Sequence, residues 1–259
     1  MEINDFNMDF FSLKGKNALV SGGNTGLGKA FTLALAKAGA NVFIPGLARC
    51  DGGIVDLARA EGVEAEIYNK DITVQGAAEE IVERAVARFG SVDILVNSAG
   101  LCLNEEDVTC FGRKQWDDMV AVNLSAPFEL SLCAAKQMIP RRSGKIINIC
   151  SLFSFLGGRM SPAYAATKHG LAGFTKAYCD ELAVYNIQVN GIAPGYYATD
   201  LTEKTRSNPE TANKVLEHIP ARRWGEPIDL MGAVIFLASR ASDYVNGHIL
   251  VVDGGYLVR

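Results

Sequence analysis

Apolar residues fall in short runs separated by longer amphipathic stretches. Residues 17–20, Asn-Ala-Leu-Val, form one such run and end in a glycine cluster, which predicts a buried strand. Runs at 41–45, 63–68, 92–96, 145–149, 187–192 and 248–252 have the same character, with Asp93 the polar exception in its run. Helical periodicity occupies 28–38, stopped by Gly39, then about 51–61, 77–89, stopped by Gly90, and about 114–138. Two more helices are predicted over 162–185 and 228–238. Pro127 is expected to kink or break the stretch 114–138, because it removes a backbone donor.

Strands that are apolar on both sides and alternate with helices belong to a sheet covered on both faces. The expected fold is therefore α/β and doubly wound, with a seven-stranded, mainly parallel sheet flanked by helices. No linker, repeat or low-complexity stretch intervenes, so residues 1–259 are expected to form a single domain. Residues 1–13 read as an N-terminal extension, and the polar, helix-capable stretch 199–222 as a mobile substrate lid.

Composition narrows the function classes. The chain is 49% hydrophobic and 21% charged, which suits a globular protein. Its net charge of -4 and the lack of a basic stripe argue against nucleic acid as a partner. The N-terminus lacks the basic start and apolar core of a signal peptide, and no apolar run approaches the ~18 residues of a membrane span. The six cysteines form no CxxC pair and the three histidines are scattered, so no metal site is expected. Reduced, mostly buried thiols in a cytoplasmic protein follow.

The first candidate for chemistry is Ser21-Gly22-Gly23-Asn24-Thr25-Gly26-Leu27-Gly28, between the first strand and the first helix. Glycines let a backbone approach a pyrophosphate closely, and the helix N-terminus adds free N–H groups and a positive dipole end. This is the setting of a dinucleotide site in a Rossmann-type domain. The spacing G-x-x-x-G-x-G differs from the commoner G-x-G-x-x-G. It resembles the loop of the short-chain dehydrogenase/reductase family, with Ser21 in place of that loop's Thr.

The resemblance covers nearly the whole chain. Asp71, followed by Ile72, matches the family's acidic residue that contacts adenine, and Asn97-Ser98-Ala99-Gly100 matches its N-N-A-G, with Ser98 a departure. Asn123 matches an active-site Asn, and Ser151, Tyr164 and Lys168 match the Ser…Y-x-x-x-K set. Pro194, Gly195 and Thr199 match the stretch bordering the nicotinamide. The resemblance implies a cofactor contacted by Gly22, Asn24, Thr25, Gly26, Leu27, Gly28, Asp71, Ile72, Asn97, Ala99, Gly100, Tyr164, Lys168, Pro194, Gly195 and Thr199. It also implies a homotetramer built through the helices at 114–138 and 162–185 and the last strand.

Tyr164 and Lys168 are four residues apart on a predicted helix and share a face. A free tyrosine titrates near ~10, too high for a good base at neutral pH. An ammonium ~4 Å away contributes about 4 kcal/mol at an effective dielectric of ~20, enough to lower the tyrosine by as much as ~3 pH units. Tyr164 is thus the expected general acid/base, with Lys168 lowering its pKa. Ser151, just past a strand end, can donate to the substrate oxygen. The resemblance adds Asn123 as anchor of a relay water.

Cofactor choice stays open between NAD and NADP. Gly46 and Leu47 stand where an acid would select NAD and a basic residue NADP, while Arg49 could reach a phosphate or be a solvated loop charge. A resemblance to the hexonate and ketohexonate dehydrogenases within the family leans the reading to NAD. It rests on Lys145-Ile146-Ile147-Asn148-Ile149, Ser151-Leu152-Phe153-Ser154-Phe155, Ala193-Pro194-Gly195-Tyr196-Tyr197-Ala198-Thr199 and the C-terminal Val252-Asp253-Gly254-Gly255. It implies a small sugar acid or polyol as substrate, with Arg159 and Arg206 available for a carboxylate and Phe153, Phe155, Tyr196 and Tyr197 as candidate pocket walls. A ketoacyl-carrier or general carbonyl reductase is the alternative, and a catalytically silent nucleotide-binding regulator a third reading.

Overall fold

In a computed structural model, which describes residues 3–47 and 53–259, seven strands form one sheet. They are β1 (Asn17–Ser21), β2 (Asn41–Gly46), β3 (Ala65–Asn69), β4 (Ile94–Asn97), β5 (Gly144–Ile149), β6 (Ile187–Pro194) and β7 (Ile249–Val252). Their order is β3-β2-β1-β4-β5-β6-β7, and every neighbouring pair is parallel. The helices are α1 (Gly26–Lys37), α2 (Ile54–Ala60), α3 (Ala77–Phe89), α4 (Arg113–Val120), α5 (Ala126–Met138), α6 (Pro162–Leu182), α7 (Glu203–Arg206), α8 (Pro209–His218) and α9 (Met231–Ala238). The expected doubly wound fold is present, and its sheet is parallel throughout.

The period of two decides which side chain meets which layer. Ala18, Val20, Val42, Ile44, Ile94 and Val96 point to one face, where they pack with Phe31 and Leu35 of α1, Ile54 and Ala58 of α2, and Val234 and Leu237 of α9. Leu19, Phe43, Leu95 and Ile146 point to the other, against Ile81 and Val82 of α3 and Leu130 and Met138 of α5. Each fully buried Leu or Phe side chain contributes about 1.5–3 kcal/mol relative to exposure. Leu13 is also buried, its N–H bonded to the Ala38 carbonyl, so the end of the N-terminal extension is part of the core.

The stretch after residue 113 is irregular where Pro127 is expected to disturb it: a π-helical turn over Ala121–Ser125 joins α4 to α5 immediately before the proline. The backbone stays helical through this turn, so the chain is not broken there. The calls on Arg49 and Cys50, and the start of the second helix at Asp51, lie outside the described residues. Of the cysteines described, Cys133 and Cys150 are buried, Cys102 and Cys179 half-buried and Cys110 exposed. No described helix is long and apolar enough to cross a membrane. No described group of three or more His, Cys, Asp or Glu could hold a metal.

Candidate active site

The strand order reverses between β1 and β4, and open α/β sheets bind ligands outside the carboxyl ends of their strands at such a point. A cleft of about 620 Å³ opens there. The glycine loop forms one end. Thr25, in extended backbone, precedes α1, and Gly26 begins the helix with φ +50°, a left-handed value. A Cβ built on Gly26 would meet nothing within 4 Å, so that backbone faces open space in the cleft. Gly28 is the opposite case: its Cβ would stand 2.1 Å from the Gly22 carbonyl oxygen. The loop can fold back on the helix only because residue 28 has no side chain. Ser21 holds the far side, its Oγ accepting from the N–H groups of Ser98 (3.1 Å) and Ala99 (3.2 Å). An open, left-handed backbone cradle at the start of a 12-residue helix fits the pyrophosphate of a dinucleotide.

The other end of the cleft is built by the turn after β5 and the start of α6. Ser151 follows β5, and its Oγ accepts from the Phe153 N–H at 3.2 Å. Pro162 opens α6, placing half-buried Tyr164 on the cleft wall and buried Lys168 one turn further. The Phe153 ring meets the Tyr164 ring edge-on at 5.9 Å. Lys168 Nζ donates to the Ile149 carbonyl at 2.7 Å and lies 5.6 Å from the centre of the Tyr164 ring.

The electrostatics differ from the expectation that Lys168 lowers the tyrosine. Burial dominates and pushes Tyr164 above its ordinary value, while a hydrogen bond with Ser151 pulls the other way. Burial also lowers Lys168, to about 8. With its ammonium committed to the Ile149 carbonyl, Lys168 does not outweigh the desolvation of its neighbour. A hydroxyl held above its usual range stays protonated at neutral pH, the form reduction needs, but gives up its proton less readily than a free tyrosine.

Asn123 sits in the π turn, fully buried, and its amide is spent on the Leu101 backbone and the Thr167 hydroxyl. Oδ1 accepts from the Leu101 N–H at 2.8 Å, and Nδ2 donates to the Leu101 carbonyl at 2.7 Å and to Thr167 Oγ1 at 3.3 Å. Thr167 in turn donates to the Tyr164 carbonyl at 2.9 Å. The side chain therefore ties the loop after β4 to the start of α6; it does not line the cleft.

Gly22, Asn24, Thr25, Gly26, Leu27, Gly28, Asp71, Ile72, Ala99, Gly100, Ser151, Tyr164, Lys168, Pro194, Gly195 and Thr199 all line this one cleft. Asn97 does not. It is buried, and its Nδ2 donates to Ser131 Oγ (3.0 Å) and Asn148 Oδ1 (2.8 Å), so it belongs to a polar link between β4, β5 and α5. Tyr196 is also turned away, against Trp224 at 5.6 Å and Tyr256 at 5.3 Å, and its neighbour Tyr197 takes the place on the cleft wall. Arg206 is engaged with Thr199, donating to its carbonyl at 3.1 Å, and to Thr202 Oγ1. Arg159 is exposed on the turn before α6, and Phe153 lies behind Tyr164.

The cleft also contains Lys70, Thr73, Val122, Cys150 and Leu201, which the sequence reading did not select. Lys70 and Thr73 flank the Asp71-Ile72 pair after β3, so adjacency to that motif was an available signal.

Comparison with known proteins places this geometry. Residues 22–257 match the family model described as Enoyl-(Acyl carrier protein) reductase. The chain is 66% identical to the uncharacterized oxidoreductase YgcW of Escherichia coli strain K12, over 99% of this chain and 98% of that protein. It is 44% identical to the 2-dehydro-3-deoxy-D-gluconate 5-dehydrogenase of the same strain, over 96% of this chain and 98% of that one. A crystal structure of a gluconate 5-dehydrogenase from Burkholderia cenocepacia J2315, in complex with NADP and tartrate, superposes with a TM-score of 0.92 at 37% identity, covering 97% of this chain and 98% of that one. The chain belongs to the short-chain dehydrogenase/reductase family and is an NAD(P)-dependent oxidoreductase acting on CH–OH groups.

Proposed function

We propose that this enzyme interconverts a secondary alcohol and a ketone on a small sugar acid, a hexonate or ketohexonate, or a related polyol. The observation that carries the reaction is the cleft itself, which has the glycine cradle at one end and Ser151, Tyr164 and Lys168 at the other. The nicotinamide cofactor, when bound, supplies or accepts the hydride. In reduction, Tyr164 gives its hydroxyl proton to the carbonyl oxygen, and Ser151 donates a hydrogen bond that holds that oxygen in reach. Lys168 supplies positive charge beside the tyrosinate that remains. Asn123 acts through position, fixing Leu101 and Thr167. Residues 199–222 act as a lid, hinged where Arg206 grips Thr199. Lid and site stand in a single domain spanning residues 1–259.

The substrate class is supported by the dehydrogenase relatives named for gluconate derivatives and by the tartrate, a small hydroxy acid, in the Burkholderia structure. Arg159 is the free-standing candidate for the substrate carboxylate. The family model's description favours a second reading, an acyl-carrier reductase. Assaying NADPH and NADH oxidation against ketohexonates and an acyl-thioester ketone separates the two. Brisk reduction of the thioester with no turnover of any sugar acid would overturn the first reading.

For the cofactor, we extend the reading to NADP, against the earlier lean. Gly46 and Leu47 present no carboxylate at the end of β2, and NADP occupies the Burkholderia relative. In a thermal-shift titration NADP is expected to raise the midpoint at least as much as NAD at equal concentration. A shift with NAD alone would reverse the assignment.

The elevated Tyr164 sets a pH dependence. Reduction needs the protonated hydroxyl and a charged Lys168, so it is expected to hold level below about pH 8 and to fall as Lys168 loses its proton; oxidation needs the hydroxyl deprotonated and should climb through the alkaline range. Oxidation that levels off near neutral pH would show the tyrosine depressed instead.

We also propose a homotetramer. The side chains of Phe128 and Leu132 stand exposed on α5, within the helical stretch expected to pair. Light scattering should give four chains; a monomer at micromolar concentration would contradict this.

A further inference from the structure

We infer that Ser154 is a positioning residue that sets the donor direction of Ser151 by bracing its turn against helix α6. The inference rests on the role given to Ser151 above. The turn Leu152–Ser154 is a single 3-10 turn whose first cap is Ser151. Three residues of so short a turn hold no fixed geometry alone, because 3-10 hydrogen bonds are poorly aligned. Ser154 supplies what is missing. Its Oγ accepts from the Ser151 N–H at 3.3 Å and donates to the Lys168 carbonyl at 2.8 Å. The Ser154 N–H returns a bond to the Ser151 carbonyl at 2.9 Å. One buried hydroxyl thus joins the backbone of Ser151 to the backbone of Lys168, across the gap between β5 and α6.

The consequence for chemistry lies in Ser151's single proton. Its Oγ already accepts from the Phe153 N–H at 3.2 Å, so that lone pair is filled from the turn side. The hydroxyl proton is left to point elsewhere, and the cleft, which Ser151 lines together with Tyr164, is the side open to it. That direction depends on the turn keeping its shape, and the shape depends on Ser154. The hydroxyl touches neither the cleft nor the reacting atoms. Misplacement of a catalytic group by about 1 Å can cost roughly 100-fold in rate.

The test is a double-mutant cycle on the reduction of 5-keto-D-gluconate by NADPH. Ser154→Ala is expected to lower kcat roughly 10- to 100-fold. KM for NADPH and the thermal midpoint shift given by NADP should stay near wild type. Ser154→Thr, which keeps the hydroxyl, should recover most of the loss. In a Ser151→Ala background, Ser154→Ala should cost little more, because its only route to the chemistry has gone. Full additivity in the double mutant, or a kcat within two-fold of wild type for Ser154→Ala, would overturn the inference. Wild-type inactivity on this ketone would count against the sugar-acid reading alone. The crystal structure of Ser154→Ala then decides: an unmoved Ser151, still capped by Phe153, would refute the brace.

Discussion

Tyr164→Phe should reduce turnover by roughly 10³-fold or more while leaving NADP binding within about two-fold of wild type. The substitution removes one oxygen and keeps the ring, so its edge-on contact with Phe153 at 5.9 Å survives. What disappears is the only hydroxyl placed to exchange a proton with the substrate oxygen in the proposed mechanism, and general acid–base groups are worth about 10²–10⁴ in rate. The glycine cradle stands at the far end of the cleft and is untouched. Binding is read by thermal shift, since a ligand at 100 times its Kd stabilises by about 2.7 kcal/mol. Turnover equal to wild type would remove Tyr164 from the mechanism. Equal loss of binding and turnover would mean that the hydroxyl serves only to hold the cofactor.

Gly28→Ala should abolish the NADP-induced thermal shift and lower the stability of the protein without ligand. The new Cβ would lie 2.1 Å from the Gly22 carbonyl oxygen and 2.9 Å from its carbon. Both are backbone atoms, so no rotamer change relieves the contact and the loop must open. Overpacking of this kind costs about 1–3 kcal/mol, which lowers the melting midpoint by ~2–4 °C per kcal/mol in a chain of this size. The opened loop no longer offers its N–H groups in one concave array. Gly26→Ala is the control for the unliganded protein only, because open space surrounds its Cβ and the cost there is that of its positive φ alone; that Cβ stands in the cradle itself, so the NADP shift should fall in this variant as well. An intact NADP shift in Gly28→Ala, measured calorimetrically or by fluorescence, would show that the loop does not hold the pyrophosphate.

Much of this was legible in the sequence because its cause is local. The strands announced themselves as apolar runs, since a sheet covered on both faces buries alternate residues such as Leu19 and Val20 equally. The glycine loop was legible because φ and steric room are properties of the residue itself. What escaped depends on partners distant in the chain. The π turn at Ala121–Ser125 exists beside an Asn123 side chain held by the Leu101 backbone, a contact that no periodicity announces. Asn97 and Tyr196 went astray for a simpler reason. Adjacent residues on an extended chain face opposite ways, so Tyr197 reaches the cleft and Tyr196 the aromatic cluster behind it. Arg206 looked available for a substrate because its Thr199 and Thr202 partners lie within its own short helical segment. The expected lowering of Tyr164 failed on magnitude: a Coulomb estimate at ~4 Å ignored desolvation and the competing Ile149 carbonyl.

The central claim is that one cleft brings a nicotinamide and a sugar-acid carbonyl together at Tyr164 and Ser151. A crystal structure with NADP and a non-reacting ketohexonate analogue tests it most directly. The account predicts the pyrophosphate on the Gly22–Gly28 loop and the substrate oxygen about 2.6–3.2 Å from both the Tyr164 and Ser151 hydroxyls. An analogue whose reactive oxygen lies out of reach of both hydroxyls, with the cofactor in place, would contradict it.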